Sequence, residues 1–206
     1  MTKLENPKGT WEQRFNISGY LFGEEPNEFL WSQLHHLRPG NVLSIADGEG
    51  RNSVWLAKQN FEVEAFDFST NAVRKAQLLA EKNKVSVNFS ICDWKSFSWN
   101  QSYYDNIVGI FFQFAGPEER LKIFNHIDSS LKPGGVVVLQ GYTSAQLKFN
   151  TGGPGKLDHL YNEEMLIAAF NKYELLAVRA YESEINEGSA HRGMSGLIGF
   201  VAKKSF

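Results

Sequence analysis

The chain has 206 residues, a length that suits one large domain, because separate cores are expected only beyond about 250 residues. Its 21 basic and 23 acidic side chains give a formal net charge of −2 without a dense basic run, which disfavours a nucleic-acid partner and favours a small-molecule substrate. A single cysteine, Cys92, excludes an internal disulfide and a cysteine-ligated iron–sulfur cluster. The apolar runs are too short to span a membrane, and residues 1–7 lack the pattern of a signal or transit peptide, so we expect a cytoplasmic protein.

The order of apolar and polar residues predicts strands and helices that alternate along the chain. Apolar side chains recur at helical spacing over residues 26–37, and Pro39-Gly40 ends the pattern, which predicts a first helix. The next apolar runs are short and bounded by turn residues, as is typical of buried strands. The predicted strands are residues 42–45, 62–66, 87–91, 104–110 and 136–142, and the predicted helices lie near residues 54–57, 71–82 and 117–131.

The last third of the chain predicts a short helix over residues 163–170 and two strands over residues 175–184 and 197–203. The turn signal Asn186-Glu187-Gly188 between these strands favours an antiparallel hairpin. The whole pattern predicts a doubly wound, mostly parallel seven-stranded α/β sheet with an antiparallel C-terminal hairpin. We interpret the chain as a single domain: residues 1–38 form an N-terminal lid and helix, 41–142 the cofactor-binding core, and 143–206 a substrate-side loop and the hairpin.

A glycine-bearing loop, Ala46-Asp47-Gly48-Glu49-Gly50, follows the first strand, where an open parallel sheet binds its ligand. A dinucleotide fingerprint would need a third glycine where Ser53 stands, and the carboxylates of Asp47 and Glu49 would repel a pyrophosphate. The same carboxylates attract the positive sulfonium and amino groups of S-adenosylmethionine. Charge therefore favours that cofactor over a nicotinamide dinucleotide.

Acidic residues also end the next two predicted strands. Asp67 follows the second strand, where a carboxylate accepts hydrogen bonds from both ribose hydroxyls, although Asp67 with Ser69 can also be a simple helix cap. Asp93 follows the third strand and is placed to accept from an adenine amino group. Phe68 and Trp94, beside these acids, are candidates to sandwich the adenine ring.

Together these segments resemble the class I S-adenosylmethionine-dependent methyltransferases over residues 41–142. The matching segments are residues 42–52, Asp67, Cys92-Asp93-Trp94 and residues 131–135. The resemblance implies a Rossmann-like methyltransferase fold. The chain departs from the family pattern at Ser44, where an acid is frequent, and at Ala46, where the first glycine is usual. Ala46 permits the turn if its φ is negative, with room for a slight displacement of the methionine moiety.

The segment Gly50-Arg51-Asn52-Ser53 and the leading residues 11–23 resemble the small-molecule branch that contains tellurite-resistance and thiopurine-type enzymes. This second resemblance implies that the N-terminal segment folds over the cofactor, with Tyr20 near the sulfonium and Arg14 near the carboxylate. Simple packing of this aromatic segment is the alternative. The full set of predicted cofactor-binding residues is Arg14, Tyr20, Ala46, Asp47, Gly48, Glu49, Gly50, Asn52, Asp67, Phe68, Ser69, Cys92, Asp93, Trp94 and Phe111.

The predicted substrate-binding residues are Gln113, Tyr142, His159 and His191. The family resemblance implies that the end of the fourth strand contacts the methionine moiety and the acceptor, and the two histidines fall in loops suited to roof that site. The histidines lack the spacing of a zinc site, so no metal is predicted.

No residue is assigned as a catalyst, because methyl transfer from an activated donor mainly requires alignment and exclusion of water. We expect a soft nucleophile, a thiol or a chalcogen compound, as the acceptor. A non-catalytic module that binds S-adenosylmethionine and a nicotinamide-dependent oxidoreductase remain as alternatives.

Overall fold

The computed structural model describes residues 7–149 and 151–206 and contains a seven-stranded sheet in the order β3-β2-β1-β4-β5-β7-β6. The strands are β1 Asn41–Ile45, β2 Glu62–Asp67, β3 Asn88–Ile91, β4 Tyr104–Ile110, β5 Leu131–Tyr142, β6 Tyr173–Glu187 and β7 His191–Lys204. The first five strands pair in parallel, and β7 pairs antiparallel with both β5 and β6. The predicted doubly wound sheet with its C-terminal hairpin is therefore confirmed.

Helices cover both faces of this sheet. They are α1 Pro7–Phe15, α2 Glu28–Ser32, α3 Arg51–Lys58, α4 Thr70–Asn83, α5 Pro117–Ser130 and α6 Glu163–Ala169, with short 3₁₀ helices at Leu34–His36, Ser144–Lys148 and Leu157–His159. Because side chains alternate along a strand, Leu43 and Ile45 enter one buried cluster and Val42 enters the other, on the opposite face. None of the described helices is long and apolar enough to cross a membrane.

Some elements differ from the predicted pattern. The first predicted helix is split into α2, which Asn27 caps by accepting from the Leu30 N–H, and a separate 3₁₀ helix. Helix α1 was not predicted as a helix. Strand β5 begins at Leu131 instead of residue 136, because Leu131 pairs with Tyr104 before a register shift in the β4–β5 ladder. The hairpin is also longer than predicted, so that Glu187 pairs with His191 at its tip.

Candidate active site

The loop after β1 adopts a left-handed backbone at several positions. Gly48 and Gly50 have φ values of 63° and 88°. A Cβ at Gly50 would lie 2.7 Å from the Cβ of Ala76, so glycine is required for the start of α3 to approach α4. Ala46 has a φ of 49°, so the condition of a negative φ is not met. The turn that leaves β1 needs the left-handed region, and the Cβ of Ala46 makes that conformation strained.

Asp47 is held within this loop. Its carboxylate accepts hydrogen bonds from the hydroxyls of Ser44 and Ser53, the first at 2.7 Å. Burial raises the pKa of Asp47 above its ordinary value, and the two serine hydroxyls oppose that rise. Ser44, at a position where an acid is frequent in the resembling family, thus fixes the loop carboxylate through its hydroxyl.

Asp67, the last residue of β2, faces the same loop. Its two carboxylate oxygens accept from the Gly48 N–H at 3.0 Å and the Ser69 N–H at 2.9 Å. Burial raises the pKa of Asp67 to about 6, although these backbone donors lower it. A carboxylate has about four acceptor sites, so each oxygen of Asp67 retains capacity for a further donor.

A cleft of about 340 Å³ opens beside this carboxylate, in the size range of small-molecule sites. Predicted cofactor residues from successive strand ends share its wall: Ala46, Asp67, Phe68, Cys92, Asp93 and Trp94. Within the wall, Trp94 is buried in the core and Lys95 lies 5.3 Å from its ring centroid. Phe68 is half-buried. The structure thus brings together the strand-end residues that the sequence placed in one site.

Asp93 also shapes the turn after β3. One of its carboxylate oxygens accepts from the backbone N–H groups of Lys95 and Ser96, each at 3.0 Å. Burial acts to raise the pKa of Asp93, but the hydrogen bonds from Ser96 and Lys95 outweigh it and hold that pKa below its ordinary value. The side chain is therefore a fixed, charged acceptor at the rim of the cleft.

Several predicted cofactor residues are engaged elsewhere. Both carboxylate oxygens of Glu49 are occupied, one by Lys75 Nζ and the other by the Leu21 N–H, each at 2.7 Å, and its side chain is 2% exposed. Asn52 accepts from the Asn27 N–H at 2.9 Å and so joins α3 to the start of α2. The structure therefore assigns Glu49 and Asn52 to anchoring the N-terminal segment and not to the cleft.

The N-terminal helix α1 lies against the loop and the start of α4. Glu12 accepts from the hydroxyl of Ser69 and from the Asn71 N–H, the latter at 3.1 Å. Phe15 comes within 3.7 Å of the Cβ position of Gly48. Ser69, a predicted cofactor residue, thus donates to Glu12 while it caps α4 at Ala72. These contacts place α1 next to the loop after β1.

Tyr20 and Arg14, the two residues of this segment that were predicted to contact the cofactor, make contacts within the protein. The Tyr20 hydroxyl donates to the Lys75 carbonyl at 3.3 Å, and its ring packs with Val54 and Leu79 of α3 and α4. Tyr20 is therefore at the helices and not at the strand ends, because Lys75 and the groove between these helices hold it. Arg14 is exposed and its guanidinium lies 4.2 Å from the Trp11 ring centroid.

Four aromatic rings pack against one another beyond the ends of β4 and β5. We call this group, Phe22, Phe111, Tyr142 and His191, the aromatic chamber. Ring centroids are 4.7 Å apart for Phe111 and Tyr142, 4.8 Å for Phe111 and His191, and 4.4 Å for Phe22 and His191. Phe111 has a φ of 55°, a strained conformation for a bulky residue and one that is frequent at functional sites.

The hydroxyl of Tyr142 is buried and receives no hydrogen bond from any residue in the described ranges. Burial raises the pKa of Tyr142, so the hydroxyl stays protonated and is available as a donor. A Cβ at Gly152 would lie 3.0 Å from this oxygen, so the glycine-rich loop closes directly over it. An unpartnered buried donor of this kind favours a polar ligand in the chamber.

His191 is oriented by an acid from the same hairpin. Its Nδ1 lies 3.3 Å from Glu187 Oε2, which also pairs with Arg51 at 2.9 Å, and Asn27 donates to the other oxygen at 2.8 Å. Burial acts against ionisation of Glu187, but His191 and Arg51 outweigh it and lower the pKa of that carboxyl to about 2. Burial lowers the pKa of His191, which keeps its ring neutral at pH 7. Sequence reasoning did not assign Arg51 or Asn27 to this site.

The other two predicted substrate residues lie outside the chamber. Gln113 is buried, and its side-chain amide donates to the Tyr142 carbonyl at 2.9 Å and to the His159 carbonyl at 3.1 Å. A Cβ at Gly141 would lie 2.6 Å from Gln113, which locates Gln113 on the face of β5 opposite to the Tyr142 ring. His159 contacts the Gln113 carbonyl at 3.2 Å. Both residues brace the end of β5, so their predicted substrate contact is not supported.

Comparison with known proteins adds independent information. A family model described as a methyltransferase domain matches residues 42–135. The chain is 22% identical to the probable S-adenosyl-L-methionine-dependent methyltransferase TehB of Haemophilus influenzae, over 48% of this chain and 35% of that protein. It is 26% identical to the tRNA N(3)-cytidine methyltransferase METTL2 of Bos taurus, over 72% of this chain and 47% of that protein. The chain thus spans less than half the length of these curated relatives.

Solved structures share the fold over most of the chain. TehB from Haemophilus influenzae has a TM-score of 0.72 at 18% identity and covers 96% of this chain and 67% of its own. The N-methyltransferase NodS from Bradyrhizobium japonicum, in complex with S-adenosyl-L-homocysteine, has a TM-score of 0.72 at 15% identity. The match covers 97% of this chain and 99% of the NodS chain. A third structure comes from work on the conversion of a disulfide bond into a thioacetal group in echinomycin biosynthesis. It has a TM-score of 0.74 at 12% identity, and the match covers 91% of this chain and 85% of that chain.

Proposed function

We propose that the chain is a class I S-adenosylmethionine-dependent methyltransferase, and that it methylates a small, soft nucleophile such as a thiol or a reduced chalcogen compound. The observation that carries this proposal is the aromatic chamber, in which the unpartnered Tyr142 hydroxyl and a neutral His191 lie among packed aromatic rings. Apolar walls suit a polarisable acceptor, and they exclude the water that would compete with it.

The cofactor fits the cleft by the chemistry of its walls. Asp67 keeps acceptor capacity for ribose hydroxyls, Asp93 supplies a charged acceptor at the next strand end, and Ala46 lines the same cleft. When bound, S-adenosylmethionine supplies a methyl group that is already activated for in-line displacement. The carboxylates that attract this cation would repel the pyrophosphate of a nicotinamide dinucleotide.

The protein's own contribution is then to position the acceptor. Tyr142 donates a hydrogen bond to it, and Glu187 fixes the His191 ring so that Nδ1–H points at the carboxylate and Nε2 is left as an acceptor. Phe22 and Phe111 confine the acceptor between these groups. Holding the reactants in contact geometry supplies much of the rate enhancement of such a displacement.

Release of S-adenosylhomocysteine with a panel of acceptors tests the proposal. The panel contains a thiol, selenide, telluride, an alcohol, an amine and unmodified tRNA, the last because of the similarity to METTL2. The likeness to a structure from work on echinomycin biosynthesis, in which a disulfide bond becomes a thioacetal, supports the sulfur compounds. The resemblance of residues 50–53 and 11–23 to the tellurite-resistance and thiopurine-type branch supports the chalcogen compounds. Turnover with the thiol or with a reduced chalcogen is the expected result. Turnover with tRNA alone would refute a small-molecule acceptor, and cofactor binding without any turnover would favour a non-catalytic module.

Replacing His191 by alanine is expected to lower kcat with a thiol acceptor less than tenfold, because a thiolate needs no general base. Tyr142 and the phenylalanine rings remain in the chamber of this variant. The pH profile of kcat is expected to follow the ionisation of the thiol. His159→Ala is the matched control, because His159 contacts Gln113 outside the chamber and is also expected to lose less than tenfold.

A loss of a hundredfold or more in folded His191→Ala would contradict this expectation. It would be accompanied by an acidic limb below the ordinary histidine pKa of about 6.5, since burial lowers the pKa of His191. That pair of results would make His191 a general base and indicate a hydroxyl or amine acceptor.

We also propose that α1 and the following residues act as a lid over the cofactor. Hydrogen exchange of residues 10–23 is expected to slow strongly when S-adenosylhomocysteine is added, because Glu12 and Phe15 contact elements that border the cleft. Glu12→Ala is expected to reduce this protection, and Gln13→Ala, an exposed neighbour, to preserve it. Equal exchange with and without the ligand would make the segment a packing element only.

A further inference from the structure

A groove of about 750 Å³ lies on one face of the sheet, between α2 and the β6–β7 hairpin. Its lining includes Gln140 of β5, Gly199 of β7 and Tyr181 of β6. A Cβ at Gly199 would lie 2.2 Å from the Phe29 ring, so Phe29 of α2 packs directly on the strand. The lining has no residue in common with the cofactor cleft.

One buried group in this groove has an unsatisfied hydrogen-bonding capacity. Gln140 is 3% exposed, and its amide nitrogen donates to the Tyr181 hydroxyl at 2.8 Å. Its carbonyl oxygen is buried and accepts no hydrogen bond from residues 7–149 or 151–206. An orphaned buried acceptor on a cavity wall calls for a donor, because leaving such a group unpaired is costly.

The charges around the groove favour a cation. The acidic residues that line it are Glu24, Glu25, Glu28, Glu184 and Glu187, and the basic ones are Arg51 and Arg179. Glu187 pairs with Arg51, and Glu24 pairs with Lys82, but Glu25, Glu28 and Glu184 form no ion pair within the described residues. Burial, together with the charge of Glu28, raises the pKa of Tyr181, so Glu28 acts on the Tyr181 hydroxyl.

We propose that this groove is a binding site for a small organic cation with N–H donors, such as an alkylammonium or guanidinium compound. The Gln140 carbonyl accepts one N–H, and the unpaired glutamates of the rim attract the positive charge. The rings of Phe29 and Tyr181 pack against the alkyl portion, and an aromatic face also attracts a cation. The site shares no lining residue with the cofactor cleft, and the test measures binding alone. The groove does share Phe22 and Glu187 with the aromatic chamber and its support, so the test includes Tyr142→Phe to separate the two.

Calorimetric titration of the full chain with diaminopentane tests the proposal, with pentanediol as an uncharged ligand of equal length. The diamine is expected to bind at least about tenfold more tightly than the diol, and its affinity to fall as salt is added. Gln140→Leu and Glu28→Gln are each expected to weaken diamine binding about tenfold or more. Glu174→Gln is the matched control on β6, because Glu174 pairs with Lys203 and does not line the groove.

Each variant is also titrated with S-adenosylhomocysteine. An affinity for that ligand equal to the parent chain's is expected and would show that the variant is folded. Tyr142→Phe is expected to retain the diamine, which separates the groove from the aromatic chamber. No binding of the diamine at millimolar concentration, equal binding of the diol, or full affinity in Gln140→Leu would each overturn the proposal. Loss of the diamine in Tyr142→Phe would overturn it too, by placing the cation in the chamber.

Discussion

Replacing Asp67 by alanine is expected to weaken the binding of S-adenosylhomocysteine by ten- to a hundredfold. Hydrogen bonds to a charged carboxylate contribute about 1.5–3 kcal/mol, and Asp67 is the acceptor proposed for the ribose hydroxyls. The variant also frees the N–H groups of Gly48 and Ser69, which loosens the loop that borders the cleft. Calorimetry at pH 7.5 measures the change.

Glu119→Gln is the matched control for Asp67→Ala. Glu119 also lines the cleft, but its side chain is 43% exposed and pairs with Lys95 at the surface, so little change in affinity is expected. Unchanged affinity in folded Asp67→Ala would reject the ribose-binding role. A comparable loss in Glu119→Gln would mean that the charge of the whole cleft, and not this carboxylate, determines affinity.

The same carboxylate predicts a pH dependence of cofactor binding. Burial raises the pKa of Asp67 to about 6, and ribose hydroxyls donate to its ionised form. Affinity is therefore expected to be constant well above pH 6 and to fall by up to about tenfold per pH unit below it. In Asp67→Asn this dependence is expected to disappear, because the side chain no longer titrates. Persistence of the same acid limb in that variant would assign it to another group, with buried Asp47 as the first candidate.

Local sequence rules predict the strand ends well. The carboxyl ends of parallel strands meet at one edge of a sheet, so identifying β1, β2 and β3 was enough to bring Ala46, Asp67 and Asp93 to one cleft. The glycines at positions 48 and 50 predicted a tight turn after β1, and both have a positive φ in the structure. Strand alternation carries one further signal. Tyr142 and Gly141 are neighbours on β5 and therefore face opposite sides of the sheet. Gln113 contacts Gly141, so it lies on the face opposite to the Tyr142 ring and outside the chamber.

Side chains whose partners are distant in sequence could not be placed in this way. Glu49 looked like part of an acidic cofactor loop, but Lys75 and the Leu21 backbone occupy it. A signal did exist, because Lys75 stands among the apolar positions of α4, and a buried lysine requires an acid nearby. No local pattern connects Arg51 to Glu187, which are 136 positions apart and meet only because the hairpin folds back over α3.

Removing Arg51 is expected to destabilise the fold by about 3–5 kcal/mol, the usual effect of breaking a buried ion pair from one side. The Arg51 and Glu187 side chains are only 8% and 13% exposed, so Arg51→Met leaves a carboxylate without its main counter-charge. Glu187→Gln together with Arg51→Met is expected to recover much of the loss, because the double variant carries no buried uncompensated charge. Urea unfolding at pH 7.5 gives the free energies, and Lys203→Met, which breaks the exposed pair with Glu174, is the control with a much smaller effect.

The dependence of the free energy of unfolding on pH gives a second test of the Arg51–Glu187 pair. The pKa of Glu187 is about 2 in the fold, below the ordinary carboxyl value of 4.5, so its stabilising contribution is fully present above about pH 4.5 and is lost as the pH falls toward 2. Arg51→Met is expected to flatten this part of the stability profile, since Arg51 is one of the groups that lower that pKa. It is also expected to raise the pKa of His191, which the charge of Arg51 now helps to depress. An Arg51→Met variant as stable as the parent chain would show that the Arg51–Glu187 pair does not hold the hairpin over α3. An unchanged His191 titration by NMR would show that Arg51 does not set the charge state of His191.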